Sequence, residues 1–279
     1  MSEGGGAVRR NPPILKKFGQ HFLHDAAVLQ SIADAIAPTP EDTVLEIGPG
    51  RGALTELLIP RAGRVVAVEL DRALAAQLTE RYASNPNVQI VQEDILDTDV
   101  RSLVGDSYIL AGNVPYYITT PIIFKSLEPP VSRRSVFLVQ REVAERIAAK
   151  ANDDAYGALT VNVAATSEVE VIREVGAGSF SPPPRVESAV IRITPRESPL
   201  IERELVPAFR SFVQAAFGQR RKQIQRVLRS VRGLSVEEVT SILDRCGVDP
   251  TARPETLSPP VFVELFRACA RGSAEKGSG

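Results

Sequence analysis

Two carboxylates and an amide stand where successive apolar runs of the sequence end. Glu69 belongs to the end of RVVAVEL, Asp94 closes VQIVQED, and Asn113 closes SYILAGN. An acid at the end of a second strand can accept both hydroxyls of a ribose, and an acid at the end of the next can accept an adenine amino group. Each acid could instead be a solvated charge at a strand end. Together they favour a site for an adenosine-containing ligand.

A glycine-rich segment precedes these acids. EIGPGRG, residues 46–52, follows an apolar run and opens a helical pattern. Gly48 and Gly50 would let the backbone turn tightly and bring its amides close to a ligand. The segment alone suits NAD, FAD or S-adenosylmethionine, or a plain strand–helix turn. The two acids, and the lack of a third glycine at the dinucleotide spacing, favour S-adenosylmethionine.

The segment GNVPYYIT, residues 112–119, could perform chemistry on an exocyclic aromatic amine. The Asn113 side-chain oxygen and the Val114 carbonyl can accept both N–H groups of the amine and draw it toward tetrahedral geometry, which frees its lone pair for a methyl group. Pro115 would stiffen this turn, and Tyr116 would stack on the base, a contact worth about 1–3 kcal/mol. No metal or strong base is required, because the alkylated nitrogen loses its proton readily. The alternative is a turn in which Asn and Pro only end the strand.

A basic run lies near the end of the chain, although the net charge is −1. Residues 210–232 contain no acid and seven cations: Arg210, Arg220, Arg221, Lys222, Arg226, Arg229 and Arg232. Such clustering indicates contacts with nucleic-acid phosphates, and the alternative is a solvated helix face. A second basic group comprises Arg9, Arg10, Lys16 and Lys17.

The composition is that of a globular protein, with 43% apolar and 24% charged residues in 279. There is no apolar stretch long enough to span a membrane and no secretory leader at the start. Cys246 and Cys269 both fall in helical patterns, which argues against a disulfide framework. We therefore expect a cytoplasmic protein without a membrane or metal partner, and a monomer because no heptad repeat is sustained.

Strand and helix patterns alternate along the first two thirds of the chain. Strands are predicted at residues 43–48, 64–70, 88–94, 107–113 and 135–140. This alternation predicts an α/β, Rossmann-like domain with a mostly parallel sheet. Residues 159–175 and 188–195 are predicted as later strands without a helix between them, forming an antiparallel end of the sheet. From about Pro195 onward only helices are predicted.

The same patterns predict the domain organisation. The chain divides into a flexible basic arm (1–15), a Rossmann-like methyltransferase domain (16–196), a small all-α RNA-binding domain (197–272) and a disordered tail (273–279).

Several motifs together resemble one family. In chain order they are KKFGQHFL, VLEIGPGRGALT, VVAVELD, EDIL, GNVPYYITTPI, FSPPPRVESAV and AFGQRRKQIQRVL. They resemble the bacterial small-subunit ribosomal RNA adenine dimethyltransferases, the family linked to kasugamycin sensitivity, from about Lys16 to Ala270. The resemblance implies dimethylation of N6 of two adjacent adenosines in the 3′-terminal hairpin of 16S rRNA, within the 30S subunit or its precursor. It also implies a role in late small-subunit biogenesis.

The resemblance also assigns site residues. It implies S-adenosylmethionine contacts at His21, Leu23, Gly48, Gly50, Glu69, Asp94 and Asn113. It implies that Tyr116 stacks on the target adenine, that Phe180 covers the other face, and that Arg220, Arg221 and Lys222 contact RNA. His21 replaces the family's usual asparagine, and Tyr117, which replaces a frequent asparagine, is given no catalytic role.

Other functions stay open at this point. The large-subunit rRNA methyltransferases of macrolide resistance share the Asn-x-Pro-Tyr pattern. DNA adenine methylation is less favoured, because no separate target-recognition domain is evident. A non-catalytic ribosome-assembly factor with this fold is a third alternative, and a nicotinamide-dependent dehydrogenase is a remote one.

Overall fold

The computed structural model describes residues 21–274, with side chains as far as residue 270. Its strands are β1 Phe22–Leu23, β2 Thr43–Ile47, β3 Arg64–Glu69, β4 Val88–Gln92, β5 Ile109–Asn113, β6 Arg134–Gln140, β7 Ser167–Val175, β8 Phe180–Ser181 and β9 Ser188–Pro195. Its α-helices are α1 Ala26–Ile36, α2 Ala53–Leu58, α3 Arg72–Arg81, α4 Val100–Val104, α5 Thr119–Ser126, α6 Arg141–Ala148, α7 Ala158–Ala164, α8 Val206–Phe217, α9 Ile224–Arg232, α10 Val236–Arg245 and α11 Pro259–Ala274. The predicted basic arm lies outside the described residues.

The central sheet of the described residues has seven strands in the order β4-β3-β2-β5-β6-β9-β7. The first five run parallel, and β9 and β7 pair antiparallel with their neighbours. The Rossmann-like fold with an antiparallel end is therefore confirmed. The strand order reverses between β2 and β5, and open α/β sheets bind their ligands beyond the carboxyl ends of strands at such a point.

Two apolar clusters cover the two faces of the sheet. One includes Leu45 and Phe137 and the other includes Val44 and Val136, all fully buried. Adjacent residues of one strand thus face opposite layers, as the period of two in a strand requires. Helices on both faces explain why these strands read as continuous apolar runs.

The prediction of strand structure across residues 159–175 is wrong in its first part. Residues Ala158–Ala164 form α7, and the strand begins only at Ser167. Leu159 and Val163 pack in a sheet-facing cluster, whereas Val161 and Ala165 pack among the C-terminal helices. A helix buried on two sides carries no amphipathic period, so its Val and Thr residues resemble a strand in sequence.

The C-terminal helices form their own core, as predicted. Phe209, Phe212, Val213 and Ala216 are buried on α8, and the capping box of α10 is present, with Glu238 N donating to Ser235 Oγ at 3.2 Å. The packing crosses the predicted boundary at residue 197, because Tyr156 belongs to this core and its hydroxyl donates to the Leu257 carbonyl at 2.6 Å. The domain division stays a prediction.

The last helix is longer than predicted. α11 continues to Ala274, so the first two residues of the predicted disordered tail, Ser273 and Ala274, are helical. Extending an existing helix adds one backbone hydrogen bond for each residue ordered. A prediction of disorder from the composition of the tail does not include this gain. Residues 275–279 lie outside the described part.

The structure also bears on the predicted partners. None of the helices between residues 21 and 274 combines the length and hydropathy that a bilayer crossing needs. The same residues hold no group of three or more His, Cys, Asp or Glu side chains arranged to bind a metal ion. Cys246 and Cys269 are both free thiols.

Candidate active site

A cavity lies at the carboxyl edge of the sheet, at the reversal between β2 and β5. It is lined by the glycine loop that follows β2, by the ends of β3 and β5, and by the segment around β1. Of the residues predicted to bind the cofactor, it brings together His21, Leu23, Gly48, Gly50, Glu69 and Asn113.

The glycine loop has the conformation that its sequence predicts. Gly48 has φ +65°, and a Cβ there would lie 3.3 Å from the backbone oxygen of Asn113. Gly50 has φ +58°, and a Cβ there would lie 3.2 Å from the ring of Phe22. Since other residues rarely adopt these angles and a Cβ would crowd these two neighbours, glycine allows the loop to lie close to β5 and to β1.

Glu69 ties this loop to the end of β3. Its Oε2 accepts a hydrogen bond from Gly50 N at 3.0 Å and its Oε1 accepts one from Asp71 N at 2.9 Å. The side chain is 7% exposed, and burial raises its pKa against the opposing effect of these bonds. Each carboxylate oxygen has a further lone pair, so Glu69 can accept hydroxyl groups while it holds the loop.

Glu46 is a second, more deeply buried carboxyl on the cavity wall. It lies in β2, is 1% exposed, and accepts a hydrogen bond from Thr55 Oγ1 at 2.7 Å. Burial, followed by the neighbouring charge of Glu69, raises its pKa to about 7 despite the Thr55 bond. No sequence pattern indicates a role for this residue.

Asn113 lines the cavity at the end of β5, and its amide is held by the N-terminal segment. Asn113 Nδ2 donates to the His21 backbone oxygen at 3.2 Å. This bond uses the donor end of the amide, so Oδ1 is the end that can accept from a ligand. An amide turned into the core would have contradicted the catalytic prediction, and the structure does not have that arrangement.

The turn after Asn113 is tightly held. Val114 is 1% exposed and packs in the core below the cavity. The Pro115 carbonyl accepts from Ile118 N at 3.1 Å and from Thr119 Oγ1 at 3.2 Å. These contacts hold the Pro115–Tyr116 peptide, the one that follows the Val114 carbonyl in the chain.

Tyr116 is anchored at both its ring and its hydroxyl. The hydroxyl lies 2.7 Å from Ser188 Oγ, and the ring lies 5.9 Å from the His21 ring at an angle of 23°. His21 is held in turn, because its Nδ1 lies 2.8 Å from the Pro182 oxygen. Ser188 is completely buried at the start of β9. It lies within FSPPPRVESAV, but the motif alone does not indicate which of its residues contacts Tyr116, so no role was predicted for it.

Phe180 and Asp94 do not line the cavity. Phe180 is 3% exposed within the apolar cluster, because β8 pairs with β1 and directs it inward, opposite Leu23. Phe180 therefore does not line the cavity in this arrangement, and its contact with the target adenine stays a prediction. Asp94 lies two residues beyond β4, and its Oδ1 accepts from Leu96 N at 2.9 Å; its contact with adenine stays a prediction.

The basic run separates into structural and exposed cations. Arg210 pairs with Glu128 at 3.1 Å, and Arg232 lies over the rings of Phe212 and Phe266. Residues 218–223, here called the basic turn, join α8 to α9 and carry Arg220, Arg221 and Lys222, which are all exposed. These three cations therefore lie between helices and not on them, because α8 ends at Phe217 and α9 begins after Gln223.

Comparison with known proteins identifies the family. A family model described as ribosomal RNA adenine dimethylase matches residues 13–270. The chain belongs to the ribosomal RNA adenine dimethylase family. It is accordingly a methyltransferase that uses S-adenosylmethionine, as the sequence predicts.

Curated relatives agree with this membership. A ribosomal RNA small subunit methyltransferase A of Geobacter metallireducens is 41% identical over 259 residues, 91% of this chain and 94% of the relative. The protein of the same name from Dehalococcoides mccartyi is 41% identical over 253 residues, 90% of this chain and 86% of the relative.

Two solved structures share the fold. A dimethyladenosine transferase of Plasmodium falciparum has a TM-score of 0.79 at 24% identity, covering 92% of this chain and 98% of the other. The 23S rRNA methyltransferase ErmE has a TM-score of 0.69 at 30% identity, covering 89% of this chain and 99% of the other.

The residues at the cavity fit the cofactor of this family. Glu69 offers a carboxylate with spare lone pairs beside a loop whose glycines leave room for a ligand. Leu54 and Leu74 add apolar surface to the same wall. A polar acceptor beside apolar surface suits a nucleoside with an extended amino-acid chain.

Proposed function

We propose that this protein dimethylates N6 of two adjacent adenosines in the 3′-terminal hairpin of 16S rRNA, within the 30S subunit or its precursor. The observation that carries the proposal is the Asn113 amide at the cavity, with its donor end bound to His21 O. The small-subunit relatives are 41% identical to this chain, whereas the 23S rRNA methyltransferase ErmE is 30% identical. This difference supports 16S rRNA over 23S rRNA as the target. The proposal includes a monomer in the cytoplasm and a role in late subunit biogenesis.

Asn113 and Val114 would position the substrate amine. Asn113 Oδ1 and the Val114 carbonyl would each accept one N–H, which localises the nitrogen lone pair away from the ring. The bound cofactor supplies an electrophilic methyl group on its sulfonium. Because Asn113 Nδ2 is bound to His21 O and the Pro115 carbonyl is bound by Ile118 and Thr119, we expect little reorganisation on substrate binding, and effects of this kind can contribute about 7–11 kcal/mol in favourable cases.

Tyr116 would present a flat surface to the target adenine. Its hydroxyl is held by Ser188 and its ring by His21, so a base that stacks on it has a defined plane relative to Asn113. We propose His21, Leu23, Gly48, Gly50, Glu69 and Asp94 as cofactor contacts. We propose Arg220, Arg221 and Lys222 as contacts to rRNA phosphates.

The test is incubation with labelled S-adenosylmethionine and 30S subunits that lack the modification. Nucleoside analysis should show N6-dimethyladenosine, and mapping should place it at two adjacent positions near the 3′ end of 16S rRNA. Label only in 23S rRNA would contradict the target, and label in no RNA would contradict the activity. In cells, an Asn113→Ala variant separates catalysis from assembly, since a protein that only assists assembly would remain fully functional.

A further inference from the structure

Arg51, in the middle of the glycine loop, faces the cavity with an unsatisfied donor. Its guanidinium carbon lies 4.3 Å from the centre of the Phe22 ring, and both residues line the cavity. Its Nε is buried and has no hydrogen-bond partner among the described residues. A buried donor without a partner destabilises a protein unless a ligand or water satisfies it, so this atom suggests a binding contact.

The charges around the cavity indicate which ligand group would satisfy Arg51. The lining contains three acids, Glu46, Glu69 and Asp71, and Arg51 is the one Lys or Arg that the described part of the chain contributes to it. Glu69 and Asp71 already accept backbone hydrogen bonds, at 2.9–3.0 Å. The structure shows no ion pair between Arg51 and an acid of residues 21–274.

We infer that Arg51 binds the carboxylate of the amino-acid part of S-adenosylmethionine, an inference that rests on the cofactor in the proposed function. Cavity acids suit hydroxyl and cationic groups, whereas a guanidinium has the forked geometry that binds a carboxylate through two hydrogen bonds. The Phe22 ring limits where the guanidinium can lie, since a cation over an aromatic face is attracted to it. An RNA phosphate is the competing partner, but the proposed phosphate contacts are exposed cations and Arg51 is half-buried.

The test compares two ligands that differ only in the carboxylate. Calorimetry measures the affinity of S-adenosylhomocysteine and of its decarboxylated analogue for the wild type, Arg51→Met and Arg51→Lys. Loss of a charge-assisted bidentate contact should weaken S-adenosylhomocysteine binding about 10- to 100-fold in Arg51→Met. The same variant should bind the decarboxylated analogue within about 3-fold of the wild type, which also shows that its cavity is folded. Arg51→Lys keeps the charge without the fork, so its loss should be intermediate.

The matched control is Arg101→Met, which removes an exposed arginine that pairs with Asp106 at 3.1 Å and should leave both affinities unchanged. Equal weakening of both ligands in Arg51→Met would overturn the inference, as would unchanged affinity for both. Unchanged cofactor affinity with weakened rRNA binding would assign Arg51 to a phosphate. Failure of the wild type to bind S-adenosylhomocysteine would contradict the cofactor itself, a different result from any of these.

Discussion

At the cavity edge the polar side chains are buried or half-buried and held by hydrogen bonds, whereas in the basic turn they are exposed. Glu69 and Asn113 each have backbone partners at 3.2 Å or less. Arg220, Arg221 and Lys222 project from a connection between two helices. The first arrangement suits a reaction that depends on the position of single atoms, and the second suits phosphates, whose attraction is long-ranged and independent of sequence.

The two regions should therefore fail in different ways. A substitution at the cavity edge should change rate or cofactor affinity with little effect on RNA binding. A substitution in the basic turn should change RNA affinity and its dependence on salt, with cofactor affinity unchanged. Four predictions test this difference, in decreasing order of expected effect.

Asn113→Ala should cause the largest loss. Removing a preorganised polar contact at a reacting group lowers kcat by about 10²–10³-fold, and the affinity for rRNA should stay close to that of the wild type. Single-turnover methylation of under-methylated 30S subunits measures the rate, and filter binding measures the affinity. Asn87→Ala, at an exposed turn before β4, is the control. A rate within 3-fold of the wild type would show that Asn113 has no part in the chemistry.

Glu46→Gln should change how stability depends on pH. The folded-state pKa of about 7 exceeds the ordinary value of 4.5, so the folded protein holds more protons between these values and its free energy of unfolding falls as pH rises through this window. The stability that protonated Glu46 contributes is fully present below pH 4.5 and lost above about pH 7. The introduced amide does not titrate and can still accept a hydrogen bond from Thr55, so the stability of the variant should not vary with pH in this way. Relative to the wild type, its free energy of unfolding should rise by about 2–3 kcal/mol between pH 5 and pH 8.

Urea unfolding at a series of pH values measures this difference. The exposed Glu142→Gln is the control, and its difference from the wild type should not vary with pH in this window. If the difference in unfolding free energy between Glu46→Gln and the wild type is also constant across these pH values, Glu46 is ionised throughout the window. The cavity edge would then differ less in desolvation from the exposed surface than the burial of Glu46 indicates.

Replacing Arg220, Arg221 and Lys222 together by Gln should weaken rRNA binding and flatten its salt dependence. Each phosphate contact contributes about 0.7–0.9 to the slope of log K against log salt, so the slope should fall in magnitude by about 2–3. Affinity for S-adenosylhomocysteine should not change. The matched control, Arg72→Gln with Arg101→Gln and Arg203→Gln, removes the same charge from exposed sites elsewhere. Equal slopes for both triple variants would mean that only net charge matters.

Ser188→Ala and Tyr116→Phe should have the smallest effects. Each removes one neutral hydrogen bond, which is worth about 0.5–1.5 kcal/mol, so kcat/KM should fall about 2- to 10-fold. The kcat/KM of the double variant should fall no further than that of either single variant, because the two substitutions remove the same hydrogen bond. Tyr116→Ala should lose more, since stacking disappears as well. Additive losses in the double variant would show that Ser188 does not act through Tyr116.

The sequence identified the cavity edge well for a physical reason. Glu69, Asn113 and the glycine loop lie at ends of parallel strands, which converge on one edge of the sheet, so their relative placement follows from strand order alone. Phe180 could not be placed in this way, because its direction depends on pairing with Leu23, 157 positions earlier. Glu46 and Ser188 lie within sequence motifs, but their contacts with Thr55 and Tyr116 come from tertiary packing and were not predicted. The helix α7 was missed because its burial on two sides leaves no amphipathic period.

The pairing of β1 with β8 also affects the order of events during synthesis. Residues 22–23 leave the ribosome early, but their partners at 180–181 follow only after the parallel strands of the sheet have been made. We therefore expect a growing chain shorter than about 180 residues to have no closed binding pocket, since the segment that carries His21 would lack its anchor. A nascent enzyme of this architecture would become competent late in translation, with its helical part the last to emerge.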